Sequence, residues 1–231
     1  MNRDNPNSST QFASAKIKAQ VCLIQQFIGS SFYRILVVGC GSGIEAAALA
    51  QEFQTEVIGI DLEPAFDEGA AQWADLRPGD ATQLAFDEGS FDLIYSFHVL
   101  EHIPLFRQAL MEMRRVLRPG GGYLIGTPNR ARLIGYLGSQ TATLTEKWAW
   151  NWADWKARWQ GKFRNEFGAH AGFLSTELKT ELEKVFGRTE DITGRYYQEL
   201  YSKFDFLIRI GDRAGLGKWF FPAVYFIGRK D

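Results

Sequence analysis

Three glycines alternate along the short stretch ILVVGCGSG, at Gly39, Gly41 and Gly43, directly after the apolar run Ile35 to Val38. Glycine at such density permits backbone angles that a side chain forbids, or lets another molecule come close to the chain. A turn of this kind between a strand and a helix presents bare N–H groups beside the positive end of a helix dipole, which suits a nucleotide. The dinucleotide pattern G-x-G-x-x-G would have its third glycine where Ile44 stands. The turn therefore better suits a ligand without phosphates, whose ribose and amino-acid tail lie across the backbone.

Further polar residues fall where an open α/β sheet binds ligands, at the carboxyl ends of strands. Asp61 closes VIGID, twenty-two positions after Gly39, where a carboxylate can accept both hydroxyls of a ribose. Asp80 sits in a turn before the next apolar run, and that run ends in SFHVLEHI. All three histidines lie in or near this region: His98, His102 and His170. His98 is the candidate general base, with plain polar lining as the alternative reading. His102 reads as structural, and His170 is a further candidate to reach the same pocket.

The elements that must position these residues alternate in period. Ala13 to Ile28 has apolar residues at helical spacing, and Ile35–Val38 is a continuous apolar run, as a strand covered on both faces requires. Helices are expected over Gly43 to Phe53, Ala65 to Asp75 and Leu105 to Leu117, and strands over Val57–Ile60, Phe91–Phe97 and Tyr123–Thr127. After an irregular stretch, Ser175 is the expected N-cap of a helix running to Val185. A strand over Thr189–Tyr197, a helix around Leu200 to Ile210 and a strand over Phe220–Ile227 complete the pattern. Such alternation predicts a Rossmann-like, doubly wound, seven-stranded and mostly parallel sheet with helices on both faces.

The segment EKWAWNWADWKARWQGKF departs from that pattern. Trp148, Trp152, Trp155 and Trp159 fall on one face of a helix, ringed by Lys147, Lys156, Arg158, Lys162 and Arg164, while Trp150 falls off that face and is expected to be exposed. Three readings stand open: a stripe packed on the sheet domain, a lid over an apolar or aromatic acceptor, and a helix lying at a membrane interface. The favoured version is mixed, with part of the stripe packed and part facing a pocket.

The pieces VVGCGSG, VIGIDLEP, GDATQLAFDEGSFDLIYSFHVLEHI, RVLRPGGGYLIGTPN and, more loosely, HAGFLSTELKTELEKVFG occur in one order. Together they resemble the class I S-adenosylmethionine-dependent methyltransferases, in particular the group acting on small molecules and in quinone biosynthesis. The resemblance covers most of Ile35 to Gly187. It implies that Gly39, Cys40 and Gly41 line the methionine and ribose portions of S-adenosylmethionine, that Asp61 holds the ribose hydroxyls and that Leu62 lies against the adenine. It further implies Asp80 at the adenine amino group with Ala81 beside it, and Ser96 and Phe97 at the amino-acid end. One departure is Val37, which stands where the family often has an acidic residue. Another is His98-Val-Leu-Glu101-His102, with histidine in the first place of a metal-binding Glu-x-x-Glu-His found in some quinone O-methyltransferases. No metal is expected here.

The implied domain plan is a tail and helix over 1–30, a cofactor-binding core over 31–128, an aromatic cap inserted over 129–170, and elements completing the core over 171–231. Composition fits such a globular protein, at 45% hydrophobic and 23% charged, and a net charge of −1 gives no reason to expect a nucleic-acid partner. Cys22 and Cys40 are too few for a disulfide framework or zinc set, which fits a reducing compartment. The polar stretch MNRDNPNSSTQF lacks the apolar run of a signal peptide, and Trp219 to Ile227 is too short to cross a bilayer. The expectation is a soluble, cytoplasmic protein of unassigned oligomeric state that transfers a methyl group to a small-molecule acceptor. The rivals are a nicotinamide-dependent oxidoreductase and an inactive S-adenosylmethionine-binding interaction protein.

Overall fold

The computed structural model describes residues 14–63, 65–135, 143–165 and 171–231, which leaves His170 outside the described residues. Within them, seven strands form one sheet: β1 (Arg34–Val38), β2 (Glu56–Asp61), β3 (Asp75–Pro78), β4 (Phe91–Phe97), β5 (Leu117–Pro128), β6 (Thr189–Asp191) and β7 (Ala223–Arg229). Their order is β3-β2-β1-β4-β5-β7-β6. The pairings from β3 through β5 are parallel, whereas β7 runs antiparallel to both β5 and β6. The chain winds outward from β1 in one direction and from β4 in the other, so a crevice opens beyond the carboxyl ends of these two neighbours.

The run Ile35–Val38 is apolar throughout because both sheet faces are covered. Ile35 and Val37 pack with the α1 (Ala15–Phe27), α2 (Ile44–Phe53) and α6 (Thr193–Leu200) side. Leu36 and Val38 pack in a second cluster with α3 (Phe106–Val116) and α5 (Ser175–Phe186). Alternation along a strand sends neighbouring residues to opposite faces, so two cores leave no position for a polar residue.

Several sequence expectations need correction. Ala65 to Asp75 is not a helix; it holds a single 3₁₀ turn, Ala70–Gln72, and Asp75 begins the edge strand β3. Only Thr189–Asp191 of the expected strand Thr189–Tyr197 is extended, and α6 follows at once. The next helix is α7 (Asp205–Arg213), joined to the short α8 (Gly217–Phe220). Ser175 is the first helical residue of α5, with Leu174 in the capping position, and its hydroxyl donates to Asp191 instead.

The aromatic segment does form a helix, α4 (Leu144–Trp159), opened by a capping box between Thr143 and Glu146. Its orientation is the reverse of an ordinary surface helix. Asn151, Asp154 and Trp155 share one face and face the protein. The Asn151 side chain exchanges hydrogen bonds with the backbone of Gly135, and Asp154 accepts from the buried Arg132 at 3.0 Å. The Trp155 indole N–H donates to the Leu133 carbonyl at 2.7 Å. Trp148, Trp152 and Trp159 are 68%, 67% and 92% exposed, against 40% for Trp150 and 37% for Trp155. Trp150 is thus less exposed than three of the four members of the expected stripe, because polar bonds, the Trp155 indole N–H among them, seat the helix.

Stability should follow that seating. Trp152→Ala and Trp159→Ala are expected to change unfolding free energy by no more than about 0.5 kcal/mol, as at other exposed sites. Trp155→Ala should cost about 1–2 kcal/mol, because it leaves a carbonyl without its donor and removes an edge contact with Trp148. Urea unfolding of the three variants checks this.

Candidate active site

The glycine turn leaves β1 with all three glycines at positive φ: +72° at Gly39, +52° at Gly41 and +86° at Gly43. The Gly39 and Cys40 N–H groups donate to the Ile60 carbonyl at 2.8 and 2.9 Å, which ties the turn to β2. A methyl group at Gly39 would strike Val99, and one at Gly43 would strike Leu76. Packing therefore requires those two glycines. Gly41 differs: nothing lies within 4 Å of where its Cβ would stand, so its bare backbone faces open space.

That space is a cleft of about 730 Å³, within the usual range for small-molecule sites. Gly39, Gly41, Asp61, Leu62, Asp80, Ala81 and His98 all line it. Cys40, Ser96 and Phe97 are buried and do not line it. The Cys40 thiol is pushed up to about 12, mainly by burial and further by Asp61, so it stays neutral. The Phe97 ring turns away to stack on Tyr95 at 4.5 Å. Ser96 keeps a buried hydroxyl with no hydrogen-bond partner.

Both cleft carboxylates are held by backbone. Asp61 accepts the Gly41 N–H through Oδ2 at 2.8 Å and the Glu63 N–H through Oδ1 at 3.1 Å. Asp80 accepts the Thr82 N–H and hydroxyl through Oδ1, both at 2.8 Å, and these bonds hold its carboxyl below the ordinary range. Asp80 is therefore an acceptor at neutral pH. Leu62 leaves a large apolar side chain exposed over the cleft.

A second cavity of about 450 Å³ lies against the first. Tyr196, Tyr197, Tyr201 and Tyr225 form much of its wall. Burial pushes the Tyr196 phenol up to about 12 and those of Tyr197 and Tyr225 higher still, so these three rings are neutral. His98 and His102 line both cavities and stand at their junction. His98 has a φ of +56°, a conformation that costs energy in a residue with a side chain and that concentrates at functional sites. Its N–H donates to the Gly126 carbonyl at 2.9 Å, which holds it at the end of β4.

Sequence reasoning named Glu101 only in the comparison with a metal-binding motif and gave it no role beside His98. Its side chain is 1% exposed, and neither carboxylate oxygen has a hydrogen-bond partner. The oxygen Oε1 stands 3.6 Å from His98 Nδ1 and 3.9 Å from His102 Nε2. Spacing within HVLEH was the available signal. The tyrosine wall carried none, since it combines α6 with β7. No cluster of three or more metal-ligating side chains suited to an ion occurs among the described residues.

A glycine turn after β1, a carboxylate after β2 and a polar turn after β4 around one crevice define a Rossmann-like cofactor-binding protein. Comparison with known proteins narrows this. A family model described as a methyltransferase domain matches residues 36–125. The chain is 34% identical over 143 residues to a chloroplastic tocopherol O-methyltransferase of Arabidopsis thaliana, covering 53% of this chain and 41% of that protein. It is 31% identical over 130 residues to a ubiquinone biosynthesis O-methyltransferase of Pseudomonas aeruginosa, covering 51% and 55%. Its fold matches the phosphoethanolamine N-methyltransferase 2 of Haemonchus contortus solved with S-adenosyl-L-methionine, with a TM-score of 0.56, 18% identity, and coverage of 92% of this chain and 52% of that one. Residues 36–125 are thus similar to a methyltransferase domain, and the sequence relatives cited are methyltransferases. The chain spans about half the length of these curated relatives.

Proposed function

We propose that this protein binds S-adenosylmethionine in the glycine-turn cleft and transfers its methyl group to a small molecule held in the tyrosine-lined cavity. The observation that carries this reading is the placement of His98 and His102 on the walls of both cavities. The residues present fit the cofactor. Gly41 offers a bare backbone that a Cβ would cover, Asp61 and Asp80 offer acceptors for hydroxyl and amino groups, and Leu62 offers an apolar surface for a base. Gly39 would line the methionine end with Gly41, and Ala81 would lie beside the base. Cys40, Ser96 and Phe97 would act from behind the cleft wall, through backbone.

S-adenosylmethionine brings a methyl group already activated on a sulfonium. The protein's task is then to align an acceptor atom and exclude water. His98 is the group placed to take a proton, which is needed only where the acceptor is a hydroxyl or similar group. Glu101 is a positioning residue for that imidazole. Neutral tyrosine rings suit an apolar or aromatic acceptor. In this plan residues 1–30 are a tail and helix, 31–128 the cofactor core, 129–170 the cap, and 171–231 the elements that complete the core.

Among the described residues no helix is long and apolar enough to cross a membrane. A cytoplasmic setting agrees with the two free cysteines. The outward indoles of α4 favour the membrane-surface reading of that helix over permanent packing.

Calorimetric titration should give one site for S-adenosylmethionine and none for nicotinamide nucleotides; tight nicotinamide binding would return the oxidoreductase reading. Incubation with methyl-labelled S-adenosylmethionine and a small-molecule cell extract should then yield a labelled product. Binding without any labelled product would favour an inactive interaction protein.

A further inference from the structure

Helix α4 is seated by polar groups and holds its indoles outward, and it has a neighbour built in the same sense. Phe206, Leu207 and Ile210 of α7 are exposed, as are Phe204 before it and Trp219 and Phe220 of α8. The two regions meet. The Leu133 carbonyl accepts the Trp155 indole N–H, while the Leu133 N–H donates to the Trp219 carbonyl at 2.8 Å. The side chains of Leu133 and Ile134 are themselves exposed at that joint. Large apolar side chains exposed on two segments that meet at Leu133 point to an interaction site rather than ordinary surface.

Charge indicates the partner. Residues 143–165 and 201–221 carry nine Lys or Arg against four Asp or Glu, in a chain whose net charge is −1. Exposed Trp and Phe ringed by Lys and Arg suit the headgroup boundary of an anionic bilayer, where rings enter the acyl region and cations remain among headgroups. A second copy is the poorer fit, because a two-fold contact would set one positive face against another.

We infer that α4, residues 133–135 and α7–α8 together form one docking face for an anionic lipid surface. The face borders the tyrosine-lined cavity: Arg132, next to Leu133, and Pro222, after α8, both line it. An acceptor dissolved in the bilayer would then enter the site from this face. This inference extends the membrane-surface reading of α4, and the acceptor route rests on the proposed methyl transfer.

Flotation of the full chain with vesicles tests it. The protein should partition roughly tenfold or more onto phosphatidylglycerol–phosphatidylcholine vesicles relative to pure phosphatidylcholine, with tryptophan emission shifting to the blue. The pair Trp152→Ala with Trp159→Ala and, separately, the pair Phe206→Ala with Leu207→Ala should each reduce partitioning about tenfold, with unchanged melting temperature. Loss from the α4 pair alone would leave that helix as a membrane contact and overturn the joint face. Equal partitioning onto both vesicle types, no partitioning at all, or a dimer in light scattering that either pair dissolves would also overturn it. Calorimetric binding of S-adenosylmethionine by the same variants separates failure of the face from failure of the proposed activity.

Discussion

Asp61→Ala is expected to weaken S-adenosylmethionine binding by about 1.5–3 kcal/mol, or roughly 10- to 150-fold, because charge-assisted acceptors for ribose hydroxyls are lost. A second effect runs through the protein itself. Asp61 Oδ2 accepts the Gly41 N–H, so the carboxylate also fixes a glycine whose bare backbone faces the cleft. Its other oxygen anchors the Glu63 N–H, in the loop that presents Leu62. Asp61→Asn separates these contributions. An amide oxygen can still hold one backbone N–H while the charge and one acceptor disappear, so its affinity should lie between wild type and Asp61→Ala. Calorimetry gives the affinities, and the melting temperature without ligand reports any loosening of the turn. Unchanged affinity in a well-folded Asp61→Ala protein would place the ribose elsewhere.

Legibility in the sequence followed burial. Strands β1, β2 and β4 announced themselves because both faces are covered, which makes most of their positions apolar. Strand β3 did not: Asp75-Leu-Arg-Pro78 lies at the sheet edge with much of its surface in solvent, so no apolar run was required. Tyr196 and Tyr197 read as strand residues through their β propensity. Packing of α6 against α1 and β7 overrode that preference. The direction of α4 was hidden for a different reason. Periodicity identifies an apolar stripe but not what covers it, and here Asn151, Asp154 and Arg132 seat the helix through polar bonds. The cleft was legible because each of its residues follows a strand end. The second cavity was not, because it combines residues from α1 to β7 that share no local pattern.

The other large effect is expected at the junction of the cavities. For an acceptor that must lose a proton, His98→Ala should lower turnover about 10²-fold or more while leaving cofactor affinity nearly intact. An acceptor already ionised at the assay pH should escape most of that loss; equal losses for both acceptors would make His98 a positioning residue only. Glu101 sharpens the test. A buried carboxylate without a hydrogen-bond donor is unfavourable, and here its neighbours within 4 Å include the imidazoles of His98 and His102. Such an arrangement costs stability and is expected where a charge orients a reacting group. Drawing the Nδ1 side of His98 toward Glu101 leaves Nε2 for the acceptor. Glu101→Gln keeps the shape and removes the charge, so it should lower turnover about tenfold with little change in the acceptor's KM. It should also leave the melting temperature unchanged or raise it, since a neutral amide is cheaper to bury than a carboxylate without donors. If Glu101 were instead a structural clamp, the same substitution would lower the melting temperature and leave turnover per folded molecule intact. Measuring both quantities on one preparation distinguishes a residue kept for the chemistry of His98 from one kept for the fold.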